Sequence, residues 1–327
     1  MKLRPLTKYL PKVTEIGLGC WQLGGGWGNP CWDDEIAQKI LLSAYNAGIR
    51  FFDTADVYGG GQSELSLGRF RTTHPDILVA TKLGRTPELY PDGFTKDGIR
   101  RAISNSIERL KIDRIDLVQL HCVPRSVLEA GSIFDWLREI RHEGLIRAFG
   151  ASVESIEEGR ICLEQEGLSS LQIIFNIFRQ KPITELLPFA QAKEVGVIVR
   201  LPLSSGLLTG KISKGTRFGE HDHRHFNRDG RCFNVGETFS RIAFEKGVEM
   251  ANQVKKFVPE RMTMTQMAVR WVLDHEAVSV VIPGASTPGQ AEENAAISNL
   301  TPLSEELHCT LDDFYRKNVQ QYIRGPY

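Results

Sequence analysis

Short runs of apolar and β-branched residues recur along the chain, and longer segments of helical period separate them. Eight such runs lie at 15–21, 49–55, 76–84, 115–123, 146–152, 171–178, 195–203 and 278–285. Each run is continuous rather than alternating in polarity, which is typical of parallel strands that helices cover on their outer face. Helices are predicted from an N-cap at Asp33 to Gly48, and then at about 62–71, 95–110, 132–144, 154–166, 184–194, 239–257 and 263–274. Repeated alternation of strand and helix predicts an α/β protein with a closed (β/α)8 TIM barrel.

Three segments depart from strict alternation. Residues 204–238 form a long connection rich in Gly, Arg and His, and a loop of that length in a compact domain is usually functional or disordered. The N-terminal stretch LRPLTKYLPKV predicts a short hairpin that closes the barrel floor, and 302–323 predicts a C-terminal helical tail. No internal repeat, low-complexity tract or linker interrupts the chain, so residues 1–327 are expected to form a single domain.

Charge and cysteine usage narrow the function classes. Forty basic residues balance 40 acidic ones among the 327, so no global field would attract nucleic acid or an anionic membrane. The six cysteines are scattered without a C-x-x-C pair, which favours reduced thiols over a disulfide framework or a zinc finger. The start of the chain lacks the apolar run of a signal peptide, and no stretch approaches the roughly 20 apolar residues of a membrane span. We expect a soluble, cytoplasmic protein whose partner is a small molecule, and its oligomeric state stays open.

Four proton-handling residues lie where consecutive predicted strands end. Asp53 ends the second strand and leads to Tyr58, Lys82 ends the third, and His121 ends the fourth. In a TIM barrel these ends form the active-site face. A nearby ammonium lowers the pKa of a phenol, and a carboxylate keeps that ammonium charged and in place, so Tyr58 is a candidate acid. Each residue taken singly also has a structural explanation. Asp53 could cap a turn, and Tyr58 could be a half-buried anchor. Lys82 could be a solvated charge at the rim, and His121 a hydrogen-bonded histidine of the core.

The order of several motifs resembles that of the aldo-keto reductases over nearly the whole chain. These motifs are GLGCWQLGG, FFDTADVYGGGQSELSLG, VATKLG, LVQLHCV, SSGLLTGK, AVRWVLDH and VIPGASTPGQAEEN. The second, with Asp53 and Tyr58 five positions apart, is specific to that family. By this resemblance Asp53, Tyr58, Lys82 and His121 form a catalytic tetrad that reduces a carbonyl with hydride from a nicotinamide, and Tyr58 is the general acid.

The resemblance also implies where the dinucleotide lies. No strand is followed by G-x-G-x-x-G, so a Rossmann domain is not expected, and the cofactor would lie across the barrel mouth. The cofactor-binding residues implied by the family are Ser152 and Gln172 at the nicotinamide amide, Arg200 in place of a frequent stacking aromatic, Leu203, Ser205, Gly206 and Leu208 along the pyrophosphate, and Ser286, Gln290, Glu293 and Asn294 at the adenosine. A planar guanidinium can also stack, so the role of Arg200 can persist.

The expected cofactor is NADP(H), with NAD(H) as the alternative. Basic residues that many members place around the 2'-phosphate stand here as Gly284 and Gln290, which reduces the charge available to a dianion. The arginines of the long loop, Arg217, Arg224, Arg228 and Arg231, are a hypothesis for what replaces them. The loop at about 204–238 is therefore expected to clamp the cofactor.

Aromatic residues near the first strand are candidates for the substrate wall. Trp21 and Trp27 are assigned this role, because large aromatics at a barrel mouth usually form an apolar pocket. The alternate histidines His221, His223 and His225 could chelate a metal, but a polar loop explains them and no metal is expected. Neither H-E-x-x-H nor a usual zinc set occurs in the chain.

The sequence thus predicts an NADP-dependent oxidoreductase that converts an aldehyde or ketone to an alcohol. Two alternatives remain open at this point. One is a nicotinamide-binding regulatory subunit of the same fold with little turnover, because fold alone does not decide function. The other is an isomerase or aldolase that uses Lys82 as a Schiff-base nucleophile, which the nearby Asp53 disfavours.

Overall fold

A computed structural model describes residues 1–25, 33–233, 236–325 and 327. Within these ranges the strands are β1 (Leu3–Arg4), β2 (Val13–Thr14), β3 (Leu18–Gly19), β4 (Phe51–Asp53), β5 (Leu78–Leu83), β6 (Ile115–His121), β7 (Ile146–Ser152), β8 (Ser170–Ile174), β9 (Gly196–Arg200) and β10 (Val278–Val281). Strands β3 to β10 pair in chain order, and every pair is parallel. Each of the eight predicted apolar runs contains one of them or most of one, which confirms the predicted strands.

The sheet closes on itself between its first and last strands. Parallel bridges join Ile16 to Val281 and Gly19 to Gly284. The Gly17 N–H donates to the Val281 carbonyl at 2.8 Å, and the Val281 N–H donates to the Glu15 carbonyl at 2.9 Å. The chain therefore forms the predicted (β/α)8 barrel.

The α-helices lie between the strands and cover their outer face. They are α1 (Asp34–Asn46), α2 (Gln62–Arg71), α3 (Lys96–Leu110), α4 (Arg125–Ala130), α5 (Ser132–His142), α6 (Ile156–Leu163), α7 (Pro182–Glu185), α8 (Leu187–Ala192), α9 (His223–Phe226), α10 (Phe244–Val254), α11 (Met264–Leu273), α12 (Pro288–Ala296) and α13 (Glu305–Phe314). Single 3-10 turns occur at 21–24, 58–61, 204–209, 239–241, 255–257, 297–299 and 320–322, and a π turn at 315–319. Asp33 caps α1 as predicted, because its side chain accepts from the backbone N–H groups of Glu35 and Ile36.

Two predicted helices have different limits in the structure. The segment 184–194 is divided into α7 and α8, since Pro188 enters the first turn of α8, where its missing N–H is tolerated, and Leu186 leaves helical geometry. The segment 239–257 becomes α10 only at Phe244, because Phe239, Ser240 and Arg241 have φ values of 52°, 56° and 68°. Helix α4 was not predicted.

The N-terminal hairpin closes the floor of the barrel, as expected. Strands β1 and β2 are antiparallel, and Leu6, Leu10 and Val13 join the apolar cluster inside the barrel with Leu117 and Ile198. The tail after 302 is helical through α13 and the turns that follow it. None of the helices that the structure describes is both long enough and apolar enough to cross a bilayer.

Close packing of α2 on α3 yields a stability prediction. A methyl group at Gly68 would lie 2.2 Å from the Arg109 carbonyl oxygen, so Gly68→Ala forces the two helices apart. We expect it to lower the free energy of unfolding by about 1–3 kcal/mol, the usual cost of overpacking. Gly289→Ala in α12 meets no atom within 4 Å and is the matched control, expected to be neutral or stabilising. Urea denaturation measures both; equal midpoints for the two variants would contradict the packing argument.

Candidate active site

The registers of adjacent strands bring the predicted polar residues to one end of the barrel. Asp53 and His121 are the last residues of β4 and β6, and Lys82 lies next to the end of β5. Lys82 is level with Gln119 on β6, while Ser152 on β7 is level with both His121 and Gln172. The strand ends therefore place these side chains in one ring around the barrel mouth.

A buried ion pair lies at the centre of this ring. The Lys82 ammonium donates to Asp53 Oδ1 in a short contact and to the Thr54 carbonyl oxygen at 2.9 Å. The second carboxylate oxygen, Asp53 Oδ2, accepts from Gln172 Nε2 at 2.8 Å and from Gln119 Nε2 at 3.1 Å. Both charged side chains are almost completely buried, so every one of these contacts offsets lost hydration.

Tyr58 completes the site from a turn rather than from a strand. Its hydroxyl oxygen accepts a hydrogen bond from Lys82 Nζ at 3.2 Å. The next residue, Gly59, has a φ of 60°, and a methyl group there would lie 1.8 Å from the Gly24 carbonyl oxygen. Glycine is required at this position because the turn approaches the loop after β3 too closely for any side chain. The His121 ring meets the Tyr58 ring edge-on, with centroids 5.7 Å apart.

Burial and charge set the protonation states in the site. Burial disfavours the Lys82 ammonium, but Asp53 and Tyr58 outweigh it and raise the pKa of Lys82. Lysine held protonated is a poor nucleophile, which counts against the Schiff-base alternative. Burial, followed by the Lys82 and Arg85 charges, holds the pKa of His121 well below its ordinary value, so the imidazole is neutral.

The pKa of Tyr58 differs from the simplest expectation. Lys82 lowers it, as the sequence predicts, but burial raises it by more and Asp53 adds to the rise. The phenol therefore stays protonated in this structure, and the ammonium limits the rise rather than producing an acidic phenol. Such a group suits proton donation to an oxygen that becomes strongly basic.

Sequence reasoning missed two contributors to this ring. Gln119 binds Asp53 but was read as part of an apolar strand, although its position two residues before His121 puts both on the same face of β6. Glu237, in the long loop, forms an ion pair with Arg200, and no motif marks it. Gln119 could have been found from the sequence, because it lies two residues from the catalytic candidate His121 in the same strand.

Arg200 lies at the end of β9 and is largely buried. One of its terminal nitrogens pairs with Glu237, and the other donates to the Val153 carbonyl oxygen at 3.2 Å and contacts Cys122 Sγ at 3.6 Å. Its Nε has no hydrogen-bond partner. The guanidinium is therefore fixed beside Ser152, whose hydroxyl donates to Gln172 Oε1 at 3.2 Å.

The turn after β9, the cradle, contains the residues that the resemblance assigns to the pyrophosphate. Ser204, Ser205 and Gly206 are consecutive residues with φ values of 49°, 54° and 97°, and Leu203 and Leu208 flank them. The Ser204 and Gly206 N–H groups donate to the carbonyl oxygens of Leu201 and Leu203, so both are already paired within the turn. A methyl group added at Gly206 would lie 3.5 Å from Arg224 Nη1, so a cation lies beside the cradle. The feature that suits a phosphate here is this nearby guanidinium.

The residues that the resemblance assigns to the adenosine lie just before α12 and within it. Gln290 Oε1 accepts from the Ser286 N–H at 2.8 Å, and Asn294 Nδ2 donates to the Gly284 carbonyl oxygen at 3.3 Å. Gln290 and Glu293 are exposed. A methyl group at Gly284 would lie 2.5 Å from Gln22 Oε1, so Gln22 covers the place where a longer side chain would extend.

The long loop is tied to the turn after β9. The Ser205 hydroxyl donates to the Glu237 carbonyl oxygen at 2.9 Å and accepts from the Phe239 N–H at 3.1 Å. Arg224 pairs with Asp222 and lies over the Phe218 ring.

The other arginines of the loop are not gathered at the cradle. Arg228 pairs with Glu245 on α10 and lies over the Phe244 ring. Of Arg224 and Arg228, therefore, Arg224 is the one that lies near Gly206. Among the described residues, no ion pair places Arg217 or Arg231 at the cradle.

Trp21 and His223 form one wall of the mouth. Their ring centroids are 4.5 Å apart, and Trp21 also approaches the Tyr58 ring at 6.5 Å. Burial lowers the pKa of His223 to about 4. Trp27 lies outside the described residues. Among the residues that are described, no group of three or more His, Cys, Asp or Glu side chains could hold a metal ion.

A second carboxylate near Tyr58 has a different environment from Asp53. Asp56 is 6% exposed, and neither of its carboxylate oxygens has a well-formed hydrogen bond. Burial, together with the nearby Glu64 carboxylate, raises its pKa to about 7, and Arg109 opposes this only in part. Arg109 already donates to Glu64 at 2.6 Å. Asp56 is therefore protonated below neutral pH.

The chain was compared with known proteins. Residues 15–316 match the model of the Aldo/keto reductase family. It is 30% identical to the aldo-keto reductase YhdN of Bacillus subtilis over 90% of this chain and 88% of that one. Its identity to the NADH-specific methylglyoxal reductase of Escherichia coli is also 30%, over 92% and 94%. The glycerol dehydrogenase AKR11B4 of Gluconobacter oxydans superposes with a TM-score of 0.80 at 29% identity, over 99% and 98%.

The environment of Asp56 predicts a pH-dependent stability. A carboxyl whose pKa rises from 3.8 to about 7 on folding opposes folding increasingly as pH rises through that interval, by on the order of 4 kcal/mol at the limit. Asp56→Asn keeps the shape and removes the charge. We expect its gain in free energy of unfolding over the parent to grow between pH 5 and pH 8, measured by urea denaturation at each pH. A gain that does not change with pH would show that Asp56 does not titrate in this range.

Proposed function

This chain belongs to the aldo/keto reductase family and reduces carbonyl groups with a nicotinamide dinucleotide, and we propose that Tyr58 donates the proton in that reaction. The main support for this proposal is the contact of 3.2 Å between Lys82 Nζ and the Tyr58 hydroxyl. Asp53 keeps this lysine charged. The fold, its relatives and this contact together make the regulatory alternative unnecessary.

Proton transfer would proceed from the phenol to the carbonyl oxygen of the substrate. Tyr58 is protonated at neutral pH, and negative charge appears on its oxygen as the proton leaves. The Lys82 N–H already points at that oxygen, so the charge is stabilised without reorganisation of the site. Asp53 keeps Lys82 in position, and Gln119 and Gln172 keep Asp53 in position. Asp53 and Lys82 are thus assigned to tuning and placing Tyr58.

His121 is assigned to orienting the carbonyl. Its ring is neutral and stands edge-on to Tyr58, and its Nδ1 makes no hydrogen bond. A neutral imidazole has one N–H donor, which can hold the substrate oxygen next to the phenol. Trp21 and His223 would then limit the size of the group attached to the carbonyl.

A bound nicotinamide supplies the hydride. We assign Ser152, Gln172 and Arg200 to its nicotinamide end, Leu203, Ser205, Gly206 and Leu208 to its pyrophosphate, and Ser286, Gln290, Glu293 and Asn294 to its adenosine. The Ser205 hydroxyl donates to the Glu237 carbonyl oxygen and accepts from the Phe239 N–H, which supports a clamping role for the loop at about 204–238.

We further infer that NADH serves at least as well as NADPH. The assigned adenosine residues include no cation, and Glu293 would repel a 2'-phosphate. Gln22 covers Gly284, where a basic side chain would otherwise extend. Arg224 lies beside the residues assigned to the pyrophosphate, a group that NADH and NADPH share, so it would not distinguish them. Arg228 forms an ion pair with Glu245 of α10. The similarity to a relative named as NADH-specific agrees with this inference.

Removal of the phenol hydroxyl tests the assigned acid. We expect Tyr58→Phe to lower kcat by about 10²- to 10⁴-fold, the usual contribution of a positioned acid, while cofactor affinity stays within about twofold. Nicotinamide absorbance over a panel of aldehydes and ketones gives kcat, and quenching of protein fluorescence gives the cofactor Kd. Tyr90→Phe removes the same atom from an exposed tyrosine and is the control. Full activity in the Tyr58 variant would refute the assignment.

Addition of a cation tests the inferred cofactor choice. Gln290→Arg should lower the KM for NADPH by about 10- to 100-fold, as a new charge-assisted hydrogen bond would, and leave the KM for NADH nearly unchanged. Gln253→Arg, at an exposed position on α10, adds the same charge elsewhere and should change neither. A parent enzyme that already prefers NADPH tenfold or more would contradict the inference.

A further inference from the structure

A second cavity lies at the end of the barrel opposite the active site. Its volume is about 620 Å³, within the usual range for small-molecule sites. The lining comes from the end of α2, from the loops that lead into β5, β6 and β7, and from one residue of β7: Arg71, Thr72, Pro75, Lys111, Ile112, Asp113, Arg114, Gly144 and Arg147. Since catalytic side chains lie at the other ends of these strands, about 20 Å separates the two sites.

Positive charge dominates this cavity. Arg71, Lys111, Arg114 and Arg147 line it, and the carboxylates at hand are Asp113 and the buried Asp116 behind it. The chain as a whole is neutral, with 40 charges of each sign, so this excess is local. No carboxylate of the described residues lies within 4.0 Å of the Lys111 ammonium or the Arg114 guanidinium.

Two of the guanidinium groups are only partly satisfied. Arg71 Nη1 lies 3.6 Å from Asp116 Oδ2, and Arg147 Nε lies 3.4 Å from Asp116 Oδ1. Both nitrogens are buried and neither makes a hydrogen bond. Asp116 Oδ2 already accepts from the Val79 N–H at 3.1 Å, so one carboxylate serves two arginines and a backbone group. Asp116 Oδ1 likewise makes no hydrogen bond, so one loosely placed carboxylate balances two guanidinium groups, and an anion in the cavity can balance the positive charge that is left.

Helix ends explain only part of this arrangement. The C-termini of α2 and α3 favour a cation at Arg71 and at Lys111. Lys111, however, has a φ of 54°, in the left-handed region where glycine is preferred at a helix end. Arg114 lies in a loop and Arg147 on a strand, where no helix dipole requires them. The shared property of the four residues is that they face one cavity.

We propose that this cavity is a second ligand site, which binds a small molecule that carries phosphate groups. Guanidinium groups match the oxygens of a phosphate in pairs, and a lysine adds a point charge. An inorganic polyphosphate, a nucleotide and a sugar bisphosphate share this chemistry. The site is independent of the groove assigned to the dinucleotide.

The test is calorimetric titration of the full chain with pyrophosphate, ATP and fructose 1,6-bisphosphate, at fixed ionic strength and with NAD⁺ present at saturation. NAD⁺ occupies the mouth, so binding at the floor is measured by itself. We expect saturable binding of at least one probe, and the strongest probe identifies the source of the phosphate. Absence of saturable binding for all three in the presence of saturating NAD⁺ overturns the proposal whether or not the chain reduces carbonyls.

Paired variants locate the binding. Lys111→Gly suits the left-handed backbone and Arg114→Gln changes an exposed side chain, so the double variant should fold, which thermal denaturation checks. It should weaken phosphate binding by about tenfold or more, as loss of two charged contacts implies. Arg101→Gln with Lys256→Gln removes the same charge from exposed positions elsewhere and should change binding less than twofold. Equal weakening in both double variants would refute a defined site.

Discussion

The buried pair of Lys82 and Asp53 is the constraint on which the site depends. A buried ion pair is retained at low cost only when the remaining hydrogen-bonding capacity of both groups is satisfied. Thr54 and Tyr58 accept from Lys82, while Gln119 and Gln172 donate to Asp53. These partners come from β6, β8 and the segment that follows β4, so the pair is satisfied only when the barrel is assembled. The assembled barrel therefore holds Lys82 at the position from which it contacts the Tyr58 hydroxyl.

Asp56 shows what the same region does to a carboxylate without such partners. It lies three residues after Asp53 and is also buried, yet no well-formed hydrogen bond reaches its oxygens, and its pKa rises to about 7. Asp53, in contrast, has both oxygens occupied. Two aspartates in one short motif thus have different hydrogen-bonding environments because of their neighbours. The motif alone does not distinguish them, since their partners lie on other strands.

The sequence predicted the parts of the fold and site that depend on local pattern. Continuous apolar runs located the strands, and one specific motif located Asp53 and Tyr58. The sequence did not predict contacts between distant segments. In these contacts Gln22 covers Gly284, Glu237 pairs with Arg200, and Gln119 donates to Asp53. The sequence predicts a lowered pKa for Tyr58 because it identifies the Lys82 ammonium. It does not give the degree of burial, which has the larger effect and raises the pKa.

Strand β6 shows how one segment serves both ends of the barrel. Leu117, Gln119 and His121 alternate onto its inner face, so this face changes from apolar packing at the centre to polar groups at the mouth. Asp116 lies on the outer face at the start of the strand and holds two arginines of the floor cavity. A charge bound at the floor would meet those arginines on the helix side of the sheet, while Lys82 and Asp53 remain enclosed by the mouth. Inside the barrel, the apolar layer of Leu6, Leu117 and Ile198 fills the space between the floor and the ring that holds Lys82 and Asp53, so the polar groups of β6 are confined to its two ends.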